Sequence, residues 1–250
     1  MKVPMPTLSV VIPTKNEEEF LPRLLRSIKQ QSLQPKEVIV ADANSDDRTR
    51  EIAAAFGAKI VDGGMPGPGR NRGAEAASGD LIFFFDADVE LKNENFLKTA
   101  VEEMAWRNLD VVTADVVPIE GNKYDDVSHQ IYNTYVRLWG RFHPHTPGFC
   151  ILVKKDLHQR IGGFDETVTF LEDHDYAYRS NKTGRFGFLS DAKIHVSTRR
   201  QERDGRFSMA TKYLLAELHY FTLGPIRHNA FNYTFGYPKK QKYGGKEQIF

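Results

Sequence analysis

Two carboxylates one residue apart, Asp86-Ala-Asp88, follow the most apolar run in the chain, Leu81-Ile-Phe-Phe-Phe85. Carboxylates crowded at the end of a buried strand repel each other and are costly to desolvate unless a cation joins them. Oxygen donors alone suit Mg²⁺ or Mn²⁺, ions that usually bridge a carboxylate to substrate phosphates. An Asp-x-Asp triplet by itself is as readily a turn or a cap, and only its place after a strand gives it weight. Two further polar segments hold equivalent places. Pro13-Thr-Lys-Asn-Glu17 follows the run Leu8–Ile12, and Asp42-Ala-Asn-Ser-Asp46 follows Glu37–Ala41.

Positive charge enters at Gly67-Pro-Gly69, which opens onto Arg70, Asn71 and Arg72. Guanidinium groups take phosphate oxygens by paired hydrogen bonds; the competing reading is a solvated helix start. The segment is neither a Walker loop nor a dinucleotide Gly-x-Gly-x-x-Gly fingerprint, so ATPase and dehydrogenase readings lose their usual support. Further on, Phe170-Leu-Glu-Asp-His-Asp175 follows Ile161-Gly-Gly-Phe-Asp165. On a helix Glu172 and Asp175 share a side while Asp173 points elsewhere, so these carboxylates have separate roles. One of them is placed to deprotonate an attacking hydroxyl, unless they only complement the helix dipole. His195 reads either as a metal ligand or as a core histidine, and His143, His145 and His174 are assigned no metal role.

The elements that must position these groups alternate. Strands at Leu8–Ile12, Glu37–Ala41, 58–61 and Leu81–Phe85 are separated by helical stripes over Glu17–Gln31, around Ile52, Ala53 and Phe56, and over 70–78, with a glycine- and proline-rich loop at Gly63–Gly69. That rhythm implies a parallel sheet with right-handed crossovers, whose ligands gather beyond the carboxyl ends of the strands. The second half is less regular. Helices are expected around Phe96–Met104, Ile131–Phe142 and Glu172–Lys182, and strands at Val111–Thr113, Phe149–Val153 and Lys193–Val196. From about Phe207, the residues Met209, Tyr213, Leu214, Leu218 and Phe221 form an amphipathic helical pattern, and Lys239, Lys240, Lys242 and Lys246 cluster beyond it. This tail either packs on the domain or touches a membrane.

Composition narrows the class. Over 250 residues, 34 basic against 33 acidic side chains leave a formal charge of +1, so no global field steers the chain to nucleic acid. A mean hydropathy of -0.48 argues against an integral membrane protein, and no apolar run reaches the roughly 18 residues of a spanning helix. The first apolar stretch is too short for a secretory signal. Cys150 alone can make no internal disulfide, and a reducing cytoplasmic setting fits, with peripheral contact at the inner face of the membrane if the tail binds there.

Taken together, Val10-Val-Ile-Pro-Thr-Lys-Asn-Glu17, Val40-Ala-Asp-Ala-Asn-Ser-Asp46, Arg70-Asn-Arg-Gly73, Gly79 to Asp88, Gly162-Gly-Phe-Asp-Glu166 and Glu172-Asp173 resemble an inverting family-2 glycosyltransferase of the GT-A fold, over roughly residues 7 to 200. The resemblance implies an α/β Rossmann-like sandwich, a mostly parallel central sheet flanked by helices, with a helical C-terminal extension. It implies one catalytic domain over 1–206, with about 7–115 binding the nucleotide-sugar and 116–206 serving acceptor and catalysis, before an extension over 207–250. The implied enzyme is metal-dependent and of the hexosyltransferase type, moving sugar from a UDP- or GDP-linked donor to a glycan or lipid-linked hydroxyl. By the same resemblance Pro13, Thr14, Glu17 and Asp42 hold base and ribose, with Arg70, Asn71 and Asp86 around the rest of the donor. Asp88 and His195 hold Mg²⁺ or Mn²⁺, Asp173 is the catalytic base, and Glu172 orients it or meets the acceptor. Where the family often shows Asp-Asp-Gly-Ser, this chain has Ala41-Asp42-Ala43-Asn44, which leaves the choice of nucleotide open. Two rivals stand beside it. One is a catalytically inactive nucleotide-binding scaffold, against which the intact carboxylate motifs argue. The other is a sugar-phosphate nucleotidyltransferase, which would need a glycine-rich loop in place of Pro13-Thr-Lys-Asn-Glu17.

Overall fold

The computed structural model describes residues 5–64, 66–140 and 142–228. Its sheet runs β3-β2-β1-β4-β7-β6-β8-β5. The strands are β1 (Leu8–Thr14), β2 (Glu37–Asp42), β3 (Lys59–Asp62), β4 (Leu81–Phe84), β5 (Val89–Glu90), β6 (Val111–Pro118), β7 (Ile151–Lys154) and β8 (Phe186–Val196). The first four pair in parallel, as the alternation requires. The other half is mixed: β7 runs antiparallel to β4 and β6, β8 parallel to β6, and β5 antiparallel to β8.

Helices cover both faces. They are α1 (Leu21–Lys29), α2 (Thr49–Ala55), α3 (Pro66–Ala76), α4 (Phe96–Trp106), α5 (Lys123–Trp139), α6 (Lys155–Arg160), α7 (Glu172–Thr183), α8 (Arg199–Asp204) and α9 (Arg206–Leu223). Because side chains alternate along a strand, Val10, Ile12, Phe83 and Phe85 enter one core while Val11 and Phe84 enter the other. That is why the strands read as unbroken apolar runs. Each such fully buried side chain contributes about 1.5–3 kcal/mol, which fixes the register of the strand ends where the polar motifs begin.

One expectation is corrected, and the apolar residues of two helices find their surroundings. The glycine- and proline-rich stretch is helical from Pro66 onward rather than a loop up to Gly69. Prolines in a first turn need no N–H partner. A side chain at Gly69 would also press on Pro13, its Cβ 3.2 Å from that of the proline, so glycine lets the helix start lie against β1. The apolar stripe of α5 does not face the core: Ile131, Leu138 and Trp139 are exposed, and Asp125, His129 and Val136 are the buried residues. In α9 the buried face is Met209, Ala216 and Tyr220, whereas Leu214, Leu218 and Phe221 are exposed. That helix is tied to the domain by a small apolar cluster of Phe170, Leu171, Ala216, Tyr220 and Ile226. Arg206 reinforces it, donating to both oxygens of Asp125 at 2.8 Å. The lysines at 239, 240, 242 and 246 lie outside the described residues.

Candidate active site

The polar motifs converge beyond the carboxyl ends of β1, β2 and β4. Thr14, the last residue of β1, lies in register with Asp42, the last of β2. Its hydroxyl donates to Asp42 Oδ1 at 3.1 Å, and Ser45 donates to the same carboxylate from N–H and hydroxyl at 3.0 and 2.6 Å. Arg50 adds a contact at 3.3 Å. Burial works to raise the Asp42 pKa, but the bonds from Ser45, Thr14 and Arg50 outweigh it and hold the carboxyl below its usual range. Asn16 and Asn44, each at φ 57°, make the two loops turn here, a conformation asparagine tolerates better than most residues. Asp42, Ala43, Asn44, Asp62, Gly63 and Gly64 line an open cleft of about 480 Å³. A groove of about 640 Å³ near the amino end of β4, lined by Ser78, Gly79, Lys154 and Asp156 among others, contains none of the candidate groups.

Asp86 and Asp88 part company in their partners. Asp86 takes Arg70 Nη2 at 2.8 Å, and Arg70 Nη1 reaches Glu172 Oε1 at 2.9 Å. Asp88 takes Arg199 Nε at 2.9 Å, and the two remaining nitrogens of Arg199 donate to the two oxygens of Glu17 at 2.8 Å. The Arg199 guanidinium also lies over the Phe20 ring, 4.0 Å from its centre, a cation–π contact that adds to the ion pairs. Burial pushes the Glu17 carboxyl up to about 7; Arg199 pulls against this, while Asp88 and Asp86 add to it.

Asp173 reaches the same region from the first turn of α7. Leu171 precedes that helix at φ 60°, strained backbone for a residue with a bulky side chain, and the turn sends Glu172 to Arg70. Gly148 N–H donates to Asp173 Oδ2 at 2.7 Å, and Asp173 Oδ1 takes the His174 N–H at 2.9 Å. A Cβ on Gly148 would stand 2.6 Å from Arg70 Nη2 and 3.1 Å from Asp173 Oδ2. Carboxylates from the end of β4 and the start of α7 therefore meet around one buried arginine.

Of the expected site residues, Pro13, Thr14, Glu17, Asp42, Asp86, Asp88, Glu172 and Asp173 are gathered here, with Arg70 among them but occupied. Arg70 is 2% exposed and bridges carboxylates instead of facing an open cleft. Asn71 is a correction. Its amide donates to Phe164 O and Glu166 Oε1 and accepts from Phe164 N–H at 2.8–2.9 Å, so it pins the 162–166 turn to α3. His195, on β8, pairs in register with Glu90 of β5; burial, Lys92 and Lys193 hold its pKa below the usual value, against the pull of Glu90. Sequence reasoning missed Arg199 and Gly148. The only available signals were a pair of arginines directly after the last strand and a glycine before the seventh.

A divalent cation is consistent with the donor set. Glu17, Asp86 and Asp88 all offer carboxylate oxygens, and after burial the charges of Asp88 and Asp86 add to the raised pKa of Glu17, a repulsion that a cation would relieve.

Residues 9–162 match the family model described as glycosyl transferase family 2. The chain belongs to that family. The span matched holds Asp42, Arg70, Asp86 and Asp88 and ends before Glu172. Among family relatives, the 4,4'-diaponeurosporenoate glycosyltransferase of Staphylococcus haemolyticus is 41% identical over 108 residues, covering 40% of this chain and 28% of the relative. The poly(ribitol-phosphate) beta-N-acetylglucosaminyltransferase TarS of Staphylococcus aureus is 25% identical over 215 residues, 79% of this chain and 36% of the relative. The chain thus spans about a third of the length of these curated relatives. In structure, the mannosyltransferase PcManGT of Pyrobaculum calidifontis, solved with GDP-Man and Mn²⁺, gives a TM-score of 0.69 at 21% identity, over 85% of this chain and 63% of that one. S. aureus TarS 1-349 with UDP-GlcNAc gives 0.60 at 24% identity, over 76% of this chain and 58% of that one. The fold of this family-2 chain is the GT-A fold.

Proposed function

We propose that this chain moves a sugar from a nucleoside-diphosphate sugar to a hydroxyl acceptor with inversion at the anomeric carbon, assisted by Mg²⁺ or Mn²⁺. The observation that carries the reading is Arg70, which joins Asp86 at the strand end to Glu172 of α7, with Asp173 set beside it by the Gly148 N–H. Donors bound in the solved relatives named above support a nucleotide-linked sugar, of either uridine or guanosine.

Asp42, fixed by Thr14 and Ser45, receives the base at the mouth of the cleft. Asp88, with Asp86 beside it, would hold the cation, which when bound neutralises charge on the leaving diphosphate. Arg199 adds positive charge at the same place. The acceptor oxygen attacks the anomeric carbon from the face opposite the diphosphate, the carbon–oxygen bond to the diphosphate breaks, and Asp173 takes the hydroxyl proton. Its side chain is 20% exposed, so an acceptor can reach it, and the Gly148 N–H fixes its orientation. Glu172 is paired with Arg70, and its part is to position the base. The exposed apolar residues of α5 and α9 support an acceptor presented at a membrane surface.

Asp88→Ala is expected to fold, to lose transfer, and to lose Mn²⁺-dependent binding of UDP or GDP, read by calorimetry and by release of nucleoside diphosphate from donor. Unchanged Mn²⁺-dependent binding in that variant would contradict the assignment. One observation favours a second reading. Arg199 already bridges Asp88 and Glu17, so a guanidinium in place of the ion would carry the diphosphate charge. Full transfer activity in excess chelator, abolished by Arg199→Ala, would select that reading.

A further inference from the structure

On the far side of Asp173 from the strand ends, three side chains from separate segments meet. His145 comes from the loop before β7, His174 from the first turn of α7, and Glu217 from α9. His145 Nε2 lies 3.1 Å from Glu217 Oε2 and His174 Nδ1 lies 2.8 Å from Glu217 Oε1. One ligand atom from each falls within 4.8 Å of the others. The imidazoles are 0% and 6% exposed. His174 Nδ1 is held to the carboxylate as an ion pair, while the Nδ1 of His145 is buried with no hydrogen-bond partner. Buried polar atoms are rarely left so.

We propose that His145, His174 and Glu217 form a cation site, separate from Asp86 and Asp88, for Zn²⁺ or a similar divalent ion that prefers imidazole. Two imidazoles and one carboxylate are a donor set that zinc accepts and that Mg²⁺ disfavours. Zinc–nitrogen bonds of about 2.0–2.1 Å place tetrahedral donors roughly 3.4 Å apart. The contacts of His145 and His174 with Glu217, at 3.1 and 2.8 Å, lie inside that separation, and no two of the three ligand atoms are more than 4.8 Å apart. Aromatic rings wall the site, with Tyr135 stacked on His145 at 5.6 Å and the His145 and His174 rings 4.5 Å apart.

The place of the site gives it consequence. His174 follows the candidate base directly, and its Nε2 is 4.0 Å from Asp173 Oδ1. His145 precedes Thr146, whose hydroxyl donates to Asp173 O at 3.2 Å, and Gly148, whose N–H donates to the Asp173 carboxylate. An ion here would join α9 to both segments that hold Asp173.

The test uses the full chain carrying Asp88→Asn, so that the strand-end carboxylates do not mask the result. After removal of metal by a chelator and dialysis, Co²⁺ is added and the visible absorption of tetrahedral cobalt is recorded, followed by displacement with Zn²⁺ and calorimetry. One saturable Zn²⁺ equivalent is expected, unaffected by excess Mg²⁺. Adding His145→Asn or Glu217→Gln should weaken it by about tenfold or more, since even residues that only support metal ligands cost 10–100-fold. Circular dichroism reports whether each variant is folded, and the conclusion is drawn from whichever of the two folds. No saturable Zn²⁺ binding by the folded parent, as for a plain His–Glu–His ion-pair clamp, would overturn the proposal. So would Zn²⁺ binding at parental affinity in folded His145→Asn. The readout is metal binding alone, so failure of the transferase reading would leave it intact.

Discussion

At Gly148 the backbone N–H and the missing side chain both matter, because Asp173 and Arg70 close on it from two sides. Gly148→Ala is expected to destabilise the chain by about 1–3 kcal/mol, the usual cost of forcing extra atoms into a packed site. It should also lower transfer more than nucleotide binding. Chemical denaturation and a turnover assay check this, and an alanine variant with wild-type stability and rate would show that the glycine is incidental. At this scale, residue type and spacing singled out Asp42, Asp86 and Asp88, because each follows an apolar strand, while the part given to Asp173 came from the family resemblance. The direction of a side chain was less legible. Asn71 turns to Phe164 and Glu166, His195 lies in register with Glu90, and Arg70 is enclosed by carboxylates from distant segments. Asn71 toward Phe164 and Glu166, and Arg70 toward Glu172, depend on partners about a hundred residues away, which local sequence does not encode.

Among the elements, β7, α6 and α7 enclose His158, whose Nδ1 lies 3.0 Å from the Tyr176 hydroxyl. Burial, with Arg179 and Lys155 nearby, pushes its imidazole down to about 4. The unfolded chain therefore binds a proton at His158 between about pH 6.5 and 4 that the folded chain does not, and stability falls as pH drops through that window. A shift of this size corresponds to roughly 3 kcal/mol. In His158→Gln, urea denaturation at pH 4.5 and 7 should show a smaller acid loss than in wild type, and an equal loss would contradict the assignment. Strands β1, β2 and β4 were legible as buried runs between helices. Helix α6 had no such pattern, being six residues of mixed polarity. The apolar patterns of α5 and α9 were seen without their surroundings, since periodicity identifies an apolar face without saying what covers it.

For the whole molecule, α5 and α9 meet through aromatic rings. Trp139 of α5 and Phe221 of α9 lie 6.3 Å apart, and Leu138, Leu214 and Leu218 of the same two helices are exposed. Among the described residues no helix is long and apolar enough to cross a membrane. If these residues rest on a bilayer, as the proposed lipid-linked acceptor requires, Leu214→Glu with Leu218→Glu should weaken binding to anionic phospholipid vesicles by about tenfold or more, each buried leucine contributing about 1.5–3 kcal/mol. Co-sedimentation measures this, and unchanged binding would remove the membrane from the account. The half of the sheet from β1 to β4 and the family were both readable in order along the chain. The mixed half around β7 and β8 was not, because antiparallel strands joined through long helices leave no regular rhythm.

The central claim is that Asp173 accepts the acceptor's proton while the donor is held by other carboxylates. Asp173→Asn tests it most directly when nucleotide affinity and turnover are measured on the same folded protein with a nucleoside-diphosphate sugar and Mn²⁺. Nucleotide affinity should stay at the wild-type value while turnover falls by about 10²–10⁴-fold. Wild-type turnover in that variant would contradict the account.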